Sequence, residues 1–331
     1  MAVGNANLMK QINLNSVRHA IRQARTATKS QLSKLTGLSV VTINSLVETL
    51  LTLGELQQVG IEETSTGRPA AVFSFNERFS LALIVYANEL VYMDMAVVAV
   101  VNLHGEVIDL LRIPFDKKLE RAVESAIVIM LDKHPSIRSI GIGLPGQVVH
   151  GQIEAVDFAE FDGKTLADRL GDRFGIPILL ENDVNAAVLG HCTTNHCTEQ
   201  IVVGIYIPEK YPLGIGIFIH GGIFRGKDGF AGEAKYLQDG LDWSNPAAVT
   251  ENISLALKKL IITITCLFNP DRLVIYRKNL TPAVIESVLQ ECRAIIRSDL
   301  LPEVILSDHF QDDFANGIKQ ITLQPLLPRV D

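Results

Sequence analysis

The sequence has few of the residues that staple small secreted proteins or hold metals. Its four cysteines, Cys192, Cys197, Cys266 and Cys292, are scattered irregularly over 331 residues, which excludes a disulfide framework. No N-terminal stretch combines a basic start, an apolar core and a small-residue cleavage site, so no signal peptide is expected. Long apolar runs are missing too. Segment 81–101 is interrupted by Asn88, Glu89 and Asp94, a pattern that suits a buried strand pair and not a membrane span. The expectation is a cytoplasmic protein with no membrane partner. Aromatics make up only 6% of the chain, but 47% of it is apolar, enough for large cores, and the length allows two or three domains.

Acid is scarce at one end. Residues 1–76 contain no Asp and four Glu against seven Lys and Arg, a balance of +3; the remainder carries 23 basic and 33 acidic residues, a balance of −10. A mildly basic head on an acidic body points towards nucleic acid.

The head reads as helix, turn, helix. Leu14, Val17, Ala20, Ile21 and Ala24 fall on one helical face. Ser30 or Thr28 can cap a short helix through Leu35, Gly37 supplies a tight turn, and Ser39 caps a second helix whose Ile43, Leu46, Val47, Leu50 and Leu51 face inward. This is a helix-turn-helix pattern. "LQQVGIE", "TSTGRPA" and "AVFSFN" follow as strand, turn and strand, a wing that carries Arg68 at its tip, within reach of a minor groove. The presumed recognition helix, 39–53, has no Lys or Arg. Phosphate contacts then fall to Lys10, Arg18, Arg22, Arg25, Lys29, Lys34 and Arg68. Base reading falls to Thr42, Asn44 and Ser45, beside the Ser39 cap, with Asn able to pair bidentately with adenine. Such a head needs a dimer to bind operator DNA well. The alternative is a three-helix bundle with a hairpin that binds protein.

From residue 81 apolar strands alternate with helices, which predicts α/β layers. "NLHGEVI" reads as a hairpin, 118–133 as an amphipathic helix, "IPILLEN" as a strand, "DVNAAVLGHC" as a helix and 247–268 as one long helix. The motifs "IGIGLPGQV", "IPILLENDVNAAVLG", "GIGIFIHGGIFRGKDGFAGE" and "FNPDRLVI" resemble those of the ROK family of repressors, open reading frames and sugar kinases. The resemblance runs from about residue 81 to 276. It implies a two-lobed actin-like ATPase fold. The head, with "GRPA" on its wing, resembles that of the family's xylose and N-acetylglucosamine repressors.

The resemblance makes Asp183 the counterpart of the kinases' catalytic base and Asn182 that of a sugar-binding neighbour. From the residues alone, the Glu181–Asp183 triplet equally reads as the cap of the next helix. The family's Asp-x-Gly-Gly-Thr phosphate turn is replaced around Tyr86–Leu90 by "YANEL", which has no glycine. Its Gly-Thr-Gly-Ile-Gly run becomes "PEKYPLGIGIF", and Tyr276-Arg277 stands for Gly-Gly in the adenosine region. Productive ATP binding is therefore not expected, and Asp183 is read as vestigial. In place of Glu-x-Gly-His the chain has Glu233, Lys235 and Tyr236, without the cysteine loop that binds zinc in many members. No metal is expected there. "HCTTNHC" (191–197) lacks a standard zinc spacing and reads as the frayed end of a helix. No cofactor is expected.

Sugar binding without phosphorylation draws on Asn182, Asp183, Glu233, Tyr236, Gly146 and Asp157. Lys235 is either a partner for an acidic sugar or an exposed lysine. The expected domains are a winged helix-turn-helix at 1–76, a first lobe at 77–182 and a second, dimerising lobe at 183–331, its C-terminal segment packing back on the first. The expected function is a sugar-responsive transcriptional repressor acting as a homodimer or higher oligomer. The alternatives are a sugar kinase with a DNA-binding head and a regulator controlled by a protein partner.

Overall fold

The computed structural model describes residues 2–63, 69–89, 94–114, 119–149, 152–156 and 163–327. The head comprises α1 (Ala2–Ala24), β1 (Thr26–Thr28), α2 (Lys29–Thr36), α3 (Val40–Thr52), β2 (Leu56–Glu62) and β3 (Ala70–Phe75). Of the two cap candidates for α2, Thr28 is used. Its Oγ1 accepts from Gln31 N at 3.3 Å, and Gln31 Oε1 accepts from Thr28 N at 2.7 Å, a reciprocal capping box. Gly37 closes α2 in the left-handed region at φ 70°. Ser39 Oγ accepts from Thr42 N at 3.2 Å and starts α3, which lies at 112° to α2. Leu14, Val17, Ile21, Leu32, Ile43, Leu46, Val47 and Leu50 are buried together. Ala24 is exposed, because α1 ends there and Arg25 takes φ 65°. Strand β1, too short for any periodicity to show, pairs with β3, giving the antiparallel order β1-β3-β2.

The body has two lobes with one topology. The first contains β4 (Leu81–Glu89), β5 (Asp94–Val101), β6 (Val107–Pro114), α4 (Leu119–Lys133), β7 (Ile137–Leu144), the ribbon β8 (Gly146–Val149) and β9 (Gln152–Val156), α5 (Gly163–Phe174) and β10 (Ile178–Asn182), followed by α6 (Asp183–Thr194). The second contains β11 (Ile201–Tyr206), β12 (Gly214–Ile219), β13 (Gly222–Ile223), α7 (Pro246–Glu251), α8 (Ile253–Phe268), β14 (Arg272–Tyr276), α9 (Pro282–Arg293) and β15 (Glu303–Ser307), followed by α10 (Phe310–Leu323). The sheets run β6-β5-β4-β7-β10 and β13-β12-β11-β14-β15. In each, an antiparallel meander is extended by two parallel strands. The helix expected over 247–268 is broken: Asn252 (φ −112°, ψ 33°) ends α7, its Nδ2 donating to Ala248 O at 2.9 Å.

The final helix of each lobe packs on the sheet of the other. Helix α6 lies against β11 and β12, and α10 lies against β4 and β7. The two helices cross where glycines permit it. A Cβ at Gly190 would overlap the Asp313 carbonyl oxygen, and one at Gly317 that of Ala186. Gly143 likewise leaves room for Phe314 and Ile318. On the outer faces, α4 and α5 cover the first sheet and α8 and α9 the second. Among the described residues no single helix is long and apolar enough to cross a membrane.

Candidate functional site

Ligands of open α/β sheets sit beyond the carboxyl ends of the parallel strands. Here that position is the junction of β10 with α6, where β10 ends at Glu181-Asn182 and α6 begins at Asp183. Asn182 is the N-cap. Its Oδ1 accepts from Val184 N at 2.9 Å and Asn185 N at 3.0 Å, and its Nδ2 donates to Gly146 O at 2.6 Å. It thereby fixes the ribbon that starts at β8. Asp183 is buried, with Oδ1 accepting from Val184 N at 2.9 Å. Glu181 is 1% exposed, and its carboxylate is held by Asn182 N, Asn185 Nδ2 and an ion pair to Arg225. Arg225 thus ties a second-lobe loop to the first lobe, a role no spacing in the sequence marks.

Gly146, Asp183, Tyr206, Tyr211, Glu233 and Lys235 are among the residues lining the cleft. The cleft holds about 80 Å³, well below the ~300 Å³ at which ordinary ligand pockets begin. The segment Tyr211–Leu213 forms one wall. The glycines that survive from the second phosphate run have a packing reason: a Cβ at Gly214 would sit 2.6 Å from Val184 Cγ2, and one at Gly216 2.7 Å from Val184 O. They let β12 close over the first turn of α6. Lys235 pairs with Glu233 at 3.4 Å, so its charge is already answered within the cleft.

Of the sequence-derived sugar residues, Asn182, Asp183, Glu233 and Gly146 come together here. Tyr236 does not. It is 55% exposed outside the cleft, tilted against Phe230 at 5.2 Å. Asp157 lies outside the described residues, as does Leu90 of the replaced phosphate turn. Tyr206 was not singled out from the sequence. It lines the cleft and stacks on Phe310 at 3.7 Å, a partner 104 residues away in the chain that no local pattern reveals. Tyr276 is a core residue whose hydroxyl donates to Asp313 Oδ2 at 2.9 Å; burial raises its pKa. Arg277 donates to Thr250 Oγ1 at 3.2 Å.

The "HCTTNHC" segment is not a frayed end. Helix α6 continues to Thr194 and is closed by Asn195, whose N and Nδ2 both donate to His191 O at 2.9 Å. Cys192 and Cys197 are buried, and burial pushes the Cys192 thiol up. His191 Nδ1 meets Asp313 Oδ2 at 3.3 Å, while His196 is exposed.

On the head, Ser39, Asn44 and Ser45 are exposed and Thr42 half-buried on α3. Val41, 79% exposed, stands between them. Lys29 pairs with Glu48 at 3.1 Å and lies over Phe73. Arg18 makes a fork to both oxygens of Glu55 at 2.5 Å. Arg68 lies outside the described residues.

The xylose repressor of Caldicellulosiruptor bescii is 28% identical over 246 residues, covering 70% of this chain and 59% of that protein. The chain spans only 59–60% of the length of the first curated relatives it matches. A crystal structure described as a ROK family transcriptional regulator, homologue of the E. coli MLC protein, superposes with a TM-score of 0.67 at 18% identity, over 96% of this chain and 98% of that one. A ROK hexokinase from Thermus thermophilus superposes with a TM-score of 0.56 at 17% identity, over 75% of this chain and 98% of that one. At such identities the likeness is one of fold, and the fold is that of ROK sugar kinase-like proteins. Residues 93–238 match the model of the ROK family.

Proposed function

We propose that the protein is a sugar-responsive transcriptional repressor. Its head binds operator DNA as part of a homodimer, and its body senses a sugar without phosphorylating it. The observation that carries this reading is the cleft. Asn182, Asp183 and Glu233, whose side chains can bind hydroxyls, line it together with Tyr211 and Pro212 of the altered glycine run, and Tyr276, which stands for a glycine of the adenosine region, is committed to the core. The winged helix-turn-helix reading of the head draws support from its helices, set at 112° about Gly37, with Ser39, Asn44 and Ser45 exposed on α3. The name of the xylose repressor relative supports both halves. A sugar that fits only a wider cleft would favour the open state, by no more than its difference in affinity for the two states.

Fluorescence anisotropy of the full chain on its own upstream DNA, titrated with salt and then with a panel of sugars, tests the reading. Saturable binding released by one sugar is expected. No preference for upstream over random DNA at physiological salt would sink it. Asp183 in the cleft favours a second reading, a sugar kinase. Sugar-dependent ATP consumption lost in Asp183→Asn would establish that reading in its place.

A further inference from the structure

A second cavity, of about 270 Å³, lies at the seam between head and body. Arg22 of α1, His104 in the β5–β6 turn, Thr193 of α6, and Asn316, Lys319 and Gln320 of α10 line it; no Asp or Glu does so among the described residues. Arg22 Nη2 donates to Leu103 O at 3.2 Å, and the guanidinium lies over the Phe75 ring. Its Nε is buried and has no acceptor among the described residues. Lys319 runs its stem across Gly105, where a Cβ would stand 3.0 Å from Lys319 Cδ. Its ammonium donates to a neutral acceptor, Asn316 Oδ1, at 3.3 Å.

Burial lowers the pKa of both cations, and no carboxylate among the described residues offsets it. The His104 ring is pushed down by burial first, then by Arg25, and also by Arg22. Glu77 and Glu106 act in the opposite sense, but Glu106 is engaged by Asn102 Nδ2 at 2.9 Å and faces Arg25 at 4.0 Å. The cavity also lies at the C-terminal ends of α6 and α10, whose partial negative charge opposes an anion. Attraction must therefore come from the side chains.

We propose that this cavity binds a phosphate group, free or carried as an ester by a small metabolite, held by Arg22 and Lys319. A guanidinium and an ammonium that line one solvent-sized space, with no carboxylate among the described residues lining it, match the fork and point-charge recognition of phosphate. The bound group bridges the head to the body. The site is separate from the sugar cleft, and the proposal does not depend on the DNA-binding reading.

The test is thermal unfolding of the full chain with inorganic phosphate and with glycerol 3-phosphate, against chloride at matched ionic strength. A saturable rise in Tm is expected. Arg22→Gln and Lys319→Met, which keeps the stem, should each weaken the apparent affinity by about tenfold or more, as loss of a charge-assisted contact does. Asp183→Asn should leave the response intact. A response to both probes identifies free phosphate as sufficient, and a response to the ester alone assigns the ester. No saturable response to either probe overturns the proposal, as does a response that both charge variants retain undiminished. Should Arg22→Gln fail to fold, Lys319→Met decides the matter alone.

Discussion

At the residue scale, Asn182 does three things with one amide: it caps α6 through two backbone N–H groups and pins Gly146 through its Nδ2. Losing an N-cap costs ~1 kcal/mol, and a net intramolecular hydrogen bond contributes roughly another 1 kcal/mol. Asn182→Ala should therefore lower stability by about 2 kcal/mol in urea unfolding, while Asn182→Asp, which keeps the cap, should lose about half of that. Cap chemistry of this kind was legible in the sequence, because it is local: Ser39, Gly37 and Thr28 all do what their types suggest. Partnerships across the chain were not. Nothing near Glu181 announces Arg225, and nothing near Tyr206 announces Phe310. Tyr236 misled for the complementary reason. Motif position places it one residue from Lys235, but the short helical turn over Ala234–Tyr236 points it away from the cleft and onto Phe230.

A second residue-scale outcome concerns acid. Asp109 is held down to about 2 by the hydrogen bond from His134 and then by that from Lys133. Its unfolded value is higher, near 3.8, so its stabilising contribution is present above that pH and is lost as pH falls through about 2. Asp109→Asn should flatten the acid limb of the stability profile between about pH 4 and 2, as read from Tm against pH.

At the element scale, the crossing of α6 and α10 sets the sharpest demand. Gly317→Ala would drive a methyl into the Ala186 carbonyl, an overpacking that typically costs about 1–3 kcal/mol. Gly171, inside α5, has open space where a Cβ would go, and Gly171→Ala should stabilise by roughly 0.5–1 kcal/mol. Both variants are alanines replacing helical glycines, so opposite signs in one urea-unfolding experiment would check the packing directly. Helical periodicity located α6 and the first half of the body well. The glycines at the crossing gave no signal, since a helix pattern cannot say which face another helix will approach. The break at Asn252 was hidden because apolar spacing continues across it.

At the scale of the whole molecule, the charge of the head counts for less than its sequence total. Arg18 is committed to Glu55 and Lys29 to Glu48, and Arg22 lines the seam cavity. Of the other four, Lys10 and Lys34 have no ion pair among the described residues, Arg25 faces Glu106 only at 4.0 Å and Arg68 lies outside the described residues, so at most four of the seven are left for DNA. A dimer with about eight phosphate contacts should show a slope of log affinity against log salt no steeper than roughly −7. A markedly steeper slope in the anisotropy titration would mean that the internal pairs open on DNA.

The exchange of final helices between the lobes carries a further consequence. Each sheet is completed by a helix that follows the other sheet in the chain, so the body is built like a swapped dimer whose two halves happen to share one polypeptide. Neither half can bury its inner face alone. Severing the chain between α6 and β11, at 195–200, should yield two pieces that are insoluble apart and fold when co-expressed, which makes that loop a natural place to split the protein into a complementing reporter.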